Sequence, residues 1–124
     1  MAVSNDFTQF VLDQLSGWGN VSIKKMFGCV ALYQDHLAFG MIANDVVYLK
    51  VDDSNKAKFI ESGSVPLKPF KSNATVLSFY NIPADILEDS DTFIRWAKES
   101  LEIQKKNETN KVEKYGEILY NIDK

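Results

Sequence analysis

The apolar residues near the start of the chain recur with a helical period. Within residues 5–15 they stand three or four positions apart, which is the spacing of one face of an α-helix. Ser4 or Asn5 can accept hydrogen bonds from the free N–H groups of the first turn, and Gly17 is suited to end the helix. The pattern predicts an amphipathic helix with an apolar stripe made of Phe7, Phe10, Val11 and Leu15.

A strand-rich block from Val21 to Val51 comes next. It is rich in β-branched and aromatic residues, and turn residues interrupt it at Gly28, at 34–36 and at 44–45. Because connections this short cannot carry a parallel crossover, we expect antiparallel neighbours. The predicted strands are Val21–Phe27, Cys29–Tyr33, Leu37–Ala43 and Val46–Val51.

The middle of the chain predicts a short helix, a connector and a further strand. Asp52 or Asp53 is expected to cap the helix, which Gly63 ends. Residues 65–70 contain two prolines, which cannot donate to a strand ladder, so we expect a connector rather than a central strand. Residues 74–82 predict a fifth strand.

The last part of the chain has a helical pattern. Residues 89–105 carry a wide apolar face around Trp96, which predicts a helix. The polar residues 105–107 indicate a break. Apolar residues recur at helical spacing within 108–122, and they predict a separate last helix.

These elements define the expected fold class and domain organisation. We expect an α+β fold in which an antiparallel sheet of about five strands has N-terminal and C-terminal helices packed on it. Residues 1–105 are expected to form the domain, and residues 106–124 an additional C-terminal helix.

The amino-acid composition argues against several classes of protein function. The chain has 124 residues, of which 45% are hydrophobic, enough for one globular domain with a core. It has one cysteine, Cys29, and one histidine, His36, whereas a structural zinc site takes about four such ligands. The carboxylate pair Asp52 and Asp53 precedes a helical stretch, which favours capping over acid–base catalysis. We therefore expect no metal, no cofactor, no catalytic residues and no enzymatic activity.

Charge and hydropathy argue against nucleic acid and membrane as partners. The net charge is -3, and the adjacent basic pairs are Lys24 with Lys25 and Lys105 with Lys106. Proteins that bind nucleic acid cluster many Lys and Arg residues, so direct DNA binding is not expected. The first residues lack the basic and apolar segments of a signal peptide, and the apolar runs are short. We expect a cytoplasmic protein without a membrane partner.

Several short motifs occur in a recognisable order. They are Lys24-Lys25-Met26-Phe27-Gly28, Val47-Tyr48-Leu49-Lys50-Val51-Asp52 and Phe79-Tyr80-Asn81-Ile82-Pro83, followed by the amphipathic helix around Trp96. In this order they resemble the N-terminal domain of the TfoX/Sxy family over roughly residues 5–102. The resemblance implies a positive regulator of natural competence genes in bacteria, working with the cyclic-AMP receptor protein at its promoters. It implies no catalytic residues.

The first hypothesis is therefore a non-enzymatic regulator of transcription that acts through protein–protein contacts. The resemblance suggests the cyclic-AMP receptor protein or RNA polymerase as its partner. The contact surfaces are expected in the basic motif, in the acidic segment that follows the fifth strand, and in the last helix. The candidate contact residues are Lys24, Lys25, Phe27, Asp85, Asp89 and Asp91.

The second hypothesis is a small ligand-binding or self-associating module without a direct regulatory role. In this hypothesis Phe39, Tyr48 and Tyr80 surround a pocket, or the last helix pairs with a second copy to form a homodimer. Core packing is the more common role of such aromatic residues, and both interpretations of these three residues stay open at this point.

Overall fold

This computed structural model describes residues 3–26, 28–68 and 76–122. These residues contain four helices and six strands, joined by turns and loops. The helices are α1 (Asn5–Gln14), α2 (Lys56–Glu61), α3 (Ala84–Glu88) and α4 (Ser90–Ile122). The strands are β1 (Ser22–Met26), β2 (Cys29–Gln34), β3 (Leu37–Ala43), β4 (Val46–Lys50), β5 (Pro66–Leu67) and β6 (Val76–Asn81).

Within the described residues the strands form one antiparallel sheet in the order β1-β2-β3-β4-β6-β5. The predicted α+β class and the antiparallel sheet are confirmed, and the sheet has six strands where about five were expected. The additional strand is β5, in the segment predicted to be a connector. That prediction is wrong for Pro66 and Leu67, because an edge strand tolerates a proline whose missing N–H would face away from the sheet.

Two tight turns fix the register of the central hairpins. Asp35 (φ 53°) and His36 (φ 68°) join β2 to β3, and Asn44 (φ 53°) and Asp45 (φ 56°) join β3 to β4. Positive φ at both central residues defines the type I′ turn, whose twist matches that of the paired strands. Asn and Asp adopt this conformation more readily than most residues.

The helices pack on one face of the sheet and enclose the core. α1 contributes Val11, α2 contributes Phe59 and α4 contributes Trp96 to one cluster of buried side chains, which the strands complete with residues such as Leu49 and Tyr80. The Phe59 ring lies 4.7 Å from the Trp96 ring and 6.4 Å from the Tyr80 ring, measured between centroids. The predicted packing of the N-terminal and C-terminal helices on the sheet is confirmed.

The first helix begins where the sequence predicts. Ser4 is the N-cap residue, and its hydroxyl accepts a hydrogen bond of 3.1 Å from the backbone N–H of Phe7. Val11 and Leu15 are fully buried, whereas Phe10, at the margin of the stripe, is 39% exposed.

The last helix differs from the prediction. α4 runs for 33 residues without interruption from Ser90 to Ile122, so the predicted break at 105–107 is wrong. Lysine has a high helix propensity, and none of the residues at the expected break removes a backbone N–H as proline does. The segment expected to be an additional helix is therefore a continuation of α4 as far as residue 122.

The cap of α2 also differs from the prediction. Asn55, and neither Asp52 nor Asp53, occupies the N-cap position. The Asp52 carboxylate instead accepts hydrogen bonds from the backbone N–H of Ser54, at 2.8 Å, and from the Ser54 hydroxyl. The Asn55 side chain accepts a bond from the N–H of Asp52 and donates one to the carbonyl of Lys50, so it ties α2 to the end of β4.

Candidate protein-contact surfaces

The two lysines of the basic motif point to opposite faces of the sheet. Lys24 is paired with Ala31 and Lys25 with Val30, and successive residues of a strand alternate between faces. Val30 belongs to the core cluster, so Lys25 stands on the helix-covered side and Lys24 on the other. Both side chains are exposed. The third residue of the predicted contact site in this motif, Phe27, lies outside the described residues.

The strand that carries these lysines is an edge of the sheet. In the part of the chain that the structure describes, β1 pairs with β2 on one side and with no strand on the other. The opposite edge is β5, which has two residues, one of them Pro66. A short edge strand with a proline resists pairing with another chain, whereas β1 has five residues and no proline.

The face of the sheet opposite the core forms a partly apolar surface. Here Met41 is paired with Tyr48, and Lys50 with Phe79, and all four side chains are half-buried. We call this surface the open face and define it by Lys24, Tyr33, Met41, Tyr48, Lys50 and Phe79.

Two interactions characterise the open face. The Lys50 ammonium lies 5.3 Å from the centroid of the Phe79 ring, within the range of a cation–π contact. Burial raises the pKa of the Tyr48 phenol above its ordinary value. The open face therefore presents neutral aromatic and thioether surface between lysines.

The charged residues of the described strands are all basic. The described strands contain three charged residues, Lys24, Lys25 and Lys50, and none of their residues is Asp or Glu. The acidic residues lie in turns and helices instead. A partner surface rich in carboxylates would therefore meet no like charge on the strands.

The acidic segment that contains Asp85, Asp89 and Asp91 does not lie on the strands of the sheet. Asp85 is in the first turn of α3, Asp89 follows that helix and Asp91 is in the first turn of α4; all three are exposed. This segment packs beside the end of α1, where the Gln14 amide donates a hydrogen bond of 2.9 Å to the carbonyl of Leu87. The structure thus places the acidic residues in the helical layer and Lys24 on the opposite side of the sheet.

The three aromatic residues considered for a pocket do not surround a common cavity. Phe39 is fully buried against Trp18, with 5.0 Å between ring centroids, and Tyr80 is buried against Phe59. Tyr48 belongs to the open face, on the other side of the sheet. Phe39 and Tyr80 are core residues, and only Tyr48 remains as a surface candidate.

Two shallow clefts lie along described residues of α4, and the sequence pattern did not indicate them. One, of about 620 Å³, follows the helix past Asp91, Arg95 and Lys98. The other, of about 370 Å³, lies between Asp52 and the stretch of α4 that carries Lys106. Most of the lining residues belong to α4, and the others, Gly17 in the larger cleft and Asp52 and Ser54 in the smaller, are distant in sequence. Only the i, i+3 and i, i+4 spacing of charges along α4 was therefore available as a sequence signal.

Asp52 in the smaller cleft has a structural role that accounts for its titration. The hydroxyl of Ser54 donates a hydrogen bond to the Asp52 carboxylate and holds the pKa of Asp52 below its ordinary value. The backbone N–H of Ser54 and the charges of Lys106 and Lys50 also lower this pKa. Nearby, Lys58 forms an ion pair with Glu99, and its ammonium lies 4.7 Å from the centroid of the Trp96 ring.

Two further findings concern metals and membranes. Within residues 3–26, 28–68 and 76–122, no group of three or more His, Cys, Asp or Glu side chains is arranged to hold a metal ion. No helix in this part of the chain is long and apolar enough to cross a membrane.

The fold and its surfaces define a small α+β domain with one helix-covered and one open sheet face. A family model described as the TfoX N-terminal domain matches residues 13–103. The chain therefore belongs to the TfoX N-terminal domain family, as the order of its motifs indicated. A comparison with curated proteins finds no match to the chain.

Proposed function

We propose that this protein is a regulator of transcription in natural competence and that it acts through contacts with other proteins. Membership of the TfoX N-terminal domain family supports the link with competence. The partner in this proposal is the cyclic-AMP receptor protein or RNA polymerase, and the domain turns over no substrate.

The observation that carries the proposal is the open face. Half-buried Tyr33, Met41 and Tyr48 form neutral, partly apolar surface, with Lys24 and Lys50 on the same face. Protein interfaces combine an apolar centre rich in aromatic and Met residues with a polar rim. A sheet face of this composition suits a protein partner.

The proposal is tested by affinity capture with a matched control. The open-face variant carries Met41→Thr and Tyr48→Thr, which remove the two large side chains and place threonine, a residue of high β-propensity, on each strand. The control carries Ile60→Thr, because Ile60 is an apolar residue of α2 that is 54% exposed and lies outside the open face.

Each purified protein is used to capture partners from a nuclease-treated lysate of the source organism. Bound cyclic-AMP receptor protein and RNA polymerase subunits are then detected with antibodies. We expect the wild type and the Ile60→Thr protein to capture one of them and the open-face variant to lose it. Equal capture by all three proteins would show that the open face is not the contact, and capture of neither partner would contradict the proposal.

A second candidate function is self-association through the end of α4, favoured by the length of that helix. The Gln104 amide donates a hydrogen bond of 2.7 Å to the carbonyl of Ala38, and residues 105–109 are exposed beyond it. The helix continues to Ile122, roughly 27 Å further at 1.5 Å per residue. A helical extension of this length is marginal in water without a packing partner.

The sequence of this extension has the spacing expected of a helix pair. Val112, Tyr115, Leu119 and Ile122 are separated by three, four and three positions. We expect deletion of residues 108–124 to convert a dimer into a monomer in light scattering. An unchanged mass per particle, after correction for the deleted residues, would remove this candidate.

A further inference from the structure

The two edges of the sheet differ in their capacity to accept another strand. β5 is blunted by its length of two residues and by Pro66. β1 is a regular five-residue strand whose residues 22–26 pair one-to-one with β2, and no other strand of the described chain occupies its outer side. Such an edge presents a row of backbone N–H and C=O groups to an incoming chain.

The lysines of β1 flank this edge on both sides. Lys24 projects on the open face and Lys25 on the helix-covered face, and both are exposed. A partner that docks flat on one face reaches one of the two ammonium groups. An extended chain that runs along the edge reaches both, because its successive side chains also alternate between the faces.

We propose that β1 binds an extended, acidic segment of a partner protein as an added strand of the sheet. Backbone hydrogen bonds hold the segment against β1, and two successive carboxylates lie opposite Lys24 and Lys25 at the distance of cross-strand neighbours. This inference rests on the proposed function, since it describes how a protein partner is bound. It explains why adjacent lysines that share no face can serve one ligand.

The charges argue against a second copy of this chain as the added strand. Pairing of β1 with β1 of another copy would bring four lysines together along one pair of strands, because each copy contributes Lys24 and Lys25. Like charges directly opposite each other on neighbouring strands are destabilising. An acidic segment instead meets a sheet whose charged strand residues are all lysines.

The test uses a defined probe, the capped peptide Thr-Val-Glu-Glu-Val-Thr. Its binding to the whole chain is followed by NMR through the backbone amides of β1. Two matched peptides accompany it, one with Lys-Lys in place of Glu-Glu and one with N-methyl groups on alternate amides. We expect the acidic peptide to shift β1 amides and slow their hydrogen exchange, and both matched peptides to bind at least about tenfold more weakly.

Single charge reversals then separate an added strand from a contact with one face. We expect Lys24→Glu and Lys25→Glu to weaken binding of the acidic peptide by similar factors, about three- to tenfold each. The matched controls are Lys105→Glu and Lys106→Glu, which change the other adjacent basic pair, also exposed, and should leave binding unchanged.

The outcomes are distinct. Loss of binding in only one of the two β1 variants would overturn the added-strand geometry, as would undiminished binding of the N-methylated peptide. No binding of the acidic peptide, together with self-association of the Lys24→Glu protein, would show that the lysines only protect the edge. If antibody detection still shows capture of the cyclic-AMP receptor protein or of polymerase in any of these cases, the proposed function stands and this inference alone fails.

Discussion

The hydroxyl of Ser100 on α4 donates a hydrogen bond of 2.8 Å to the backbone carbonyl of Lys50, the last residue of β4. The Asn55 amide donates a second bond of 3.2 Å to the same carbonyl. The end of β4 is thus held by α4 and by the residue that precedes α2.

We expect Ser100→Ala to lower the free energy of unfolding by about 1 kcal/mol, since the carbonyl of Lys50 retains the bond from Asn55. Asn55→Ala should cost more, because the Asn55 side chain also accepts a hydrogen bond of 2.9 Å from the N–H of Asp52. Urea unfolding of the two variants measures both effects. Equal stability of wild type and Asn55→Ala would contradict this description of how the end of β4 is held.

Strands β3 and β4 approach each other closely at Gly40. A Cβ atom at Gly40 would lie 2.7 Å from the backbone carbonyl oxygen of Tyr48. We expect Gly40→Ala to reduce the free energy of unfolding by about 1–3 kcal/mol, because backbone must shift to relieve the overlap. The matched control is Gly17→Ala, whose Cβ would lie 3.4 Å from the Ile94 side chain and should change stability by less than about 0.5 kcal/mol. Similar losses in both variants would contradict the reason given.

A turn substitution should increase stability. His36 has a φ of 68° in the turn between β2 and β3, a conformation that costs an L-residue roughly 1–2 kcal/mol. We expect His36→Gly to raise the free energy of unfolding by about 0.5 kcal/mol, once the larger backbone entropy of glycine in the unfolded chain is subtracted. Asp45→Gly in the other turn is the comparison; it should gain less, because Asp45 accepts a hydrogen bond of 2.8 Å from the N–H of Ser4. Thermal unfolding ranks the variants, and a larger gain at Asp45 would refute the argument.

The titration of Asp52 should depend on Ser54. The Ser54 hydroxyl lowers the pKa of Asp52 in the folded chain. Stabilisation from this bond is therefore fully present above the unfolded pKa of about 3.9 and is lost as pH falls through the lower, folded pKa. We expect Ser54→Ala to move the Asp52 pKa upward and to weaken the pH dependence of stability in this acidic range. NMR titration of the Asp52 side-chain carboxyl carbon measures the shift, and an unchanged midpoint would rule out the assigned cause.

Much of the fold follows from local sequence. β3 has the predicted bounds, and the predicted positions of β2 and β4 agree with the structure to within one residue, because Asp, His and Asn interrupt strongly alternating or apolar segments. α1 follows from its stripe and from Ser4. β5 is not predictable in this way, since two residues carry no periodic signal and their pairing with β6 depends on tertiary structure.

The candidate surfaces are less accessible to sequence reasoning. Alternation along β1 separates Lys24 from Lys25, whereas their adjacency suggested a single basic pair. The open face combines residues from five strands, so its composition emerges only once the strand order is known. The continuity of α4 was missed for a different reason, because a polar stretch ends an apolar stripe without ending a helix.

We propose that the open face supports regulation through a protein contact. The decisive experiment is in vitro transcription with purified RNA polymerase, cyclic-AMP receptor protein and a competence-gene promoter that carries a site for that receptor. We predict more transcript when the wild-type or Ile60→Thr protein is added and no increase with the Met41→Thr, Tyr48→Thr variant. An equal increase with all three proteins, or no increase with any, would contradict the claim.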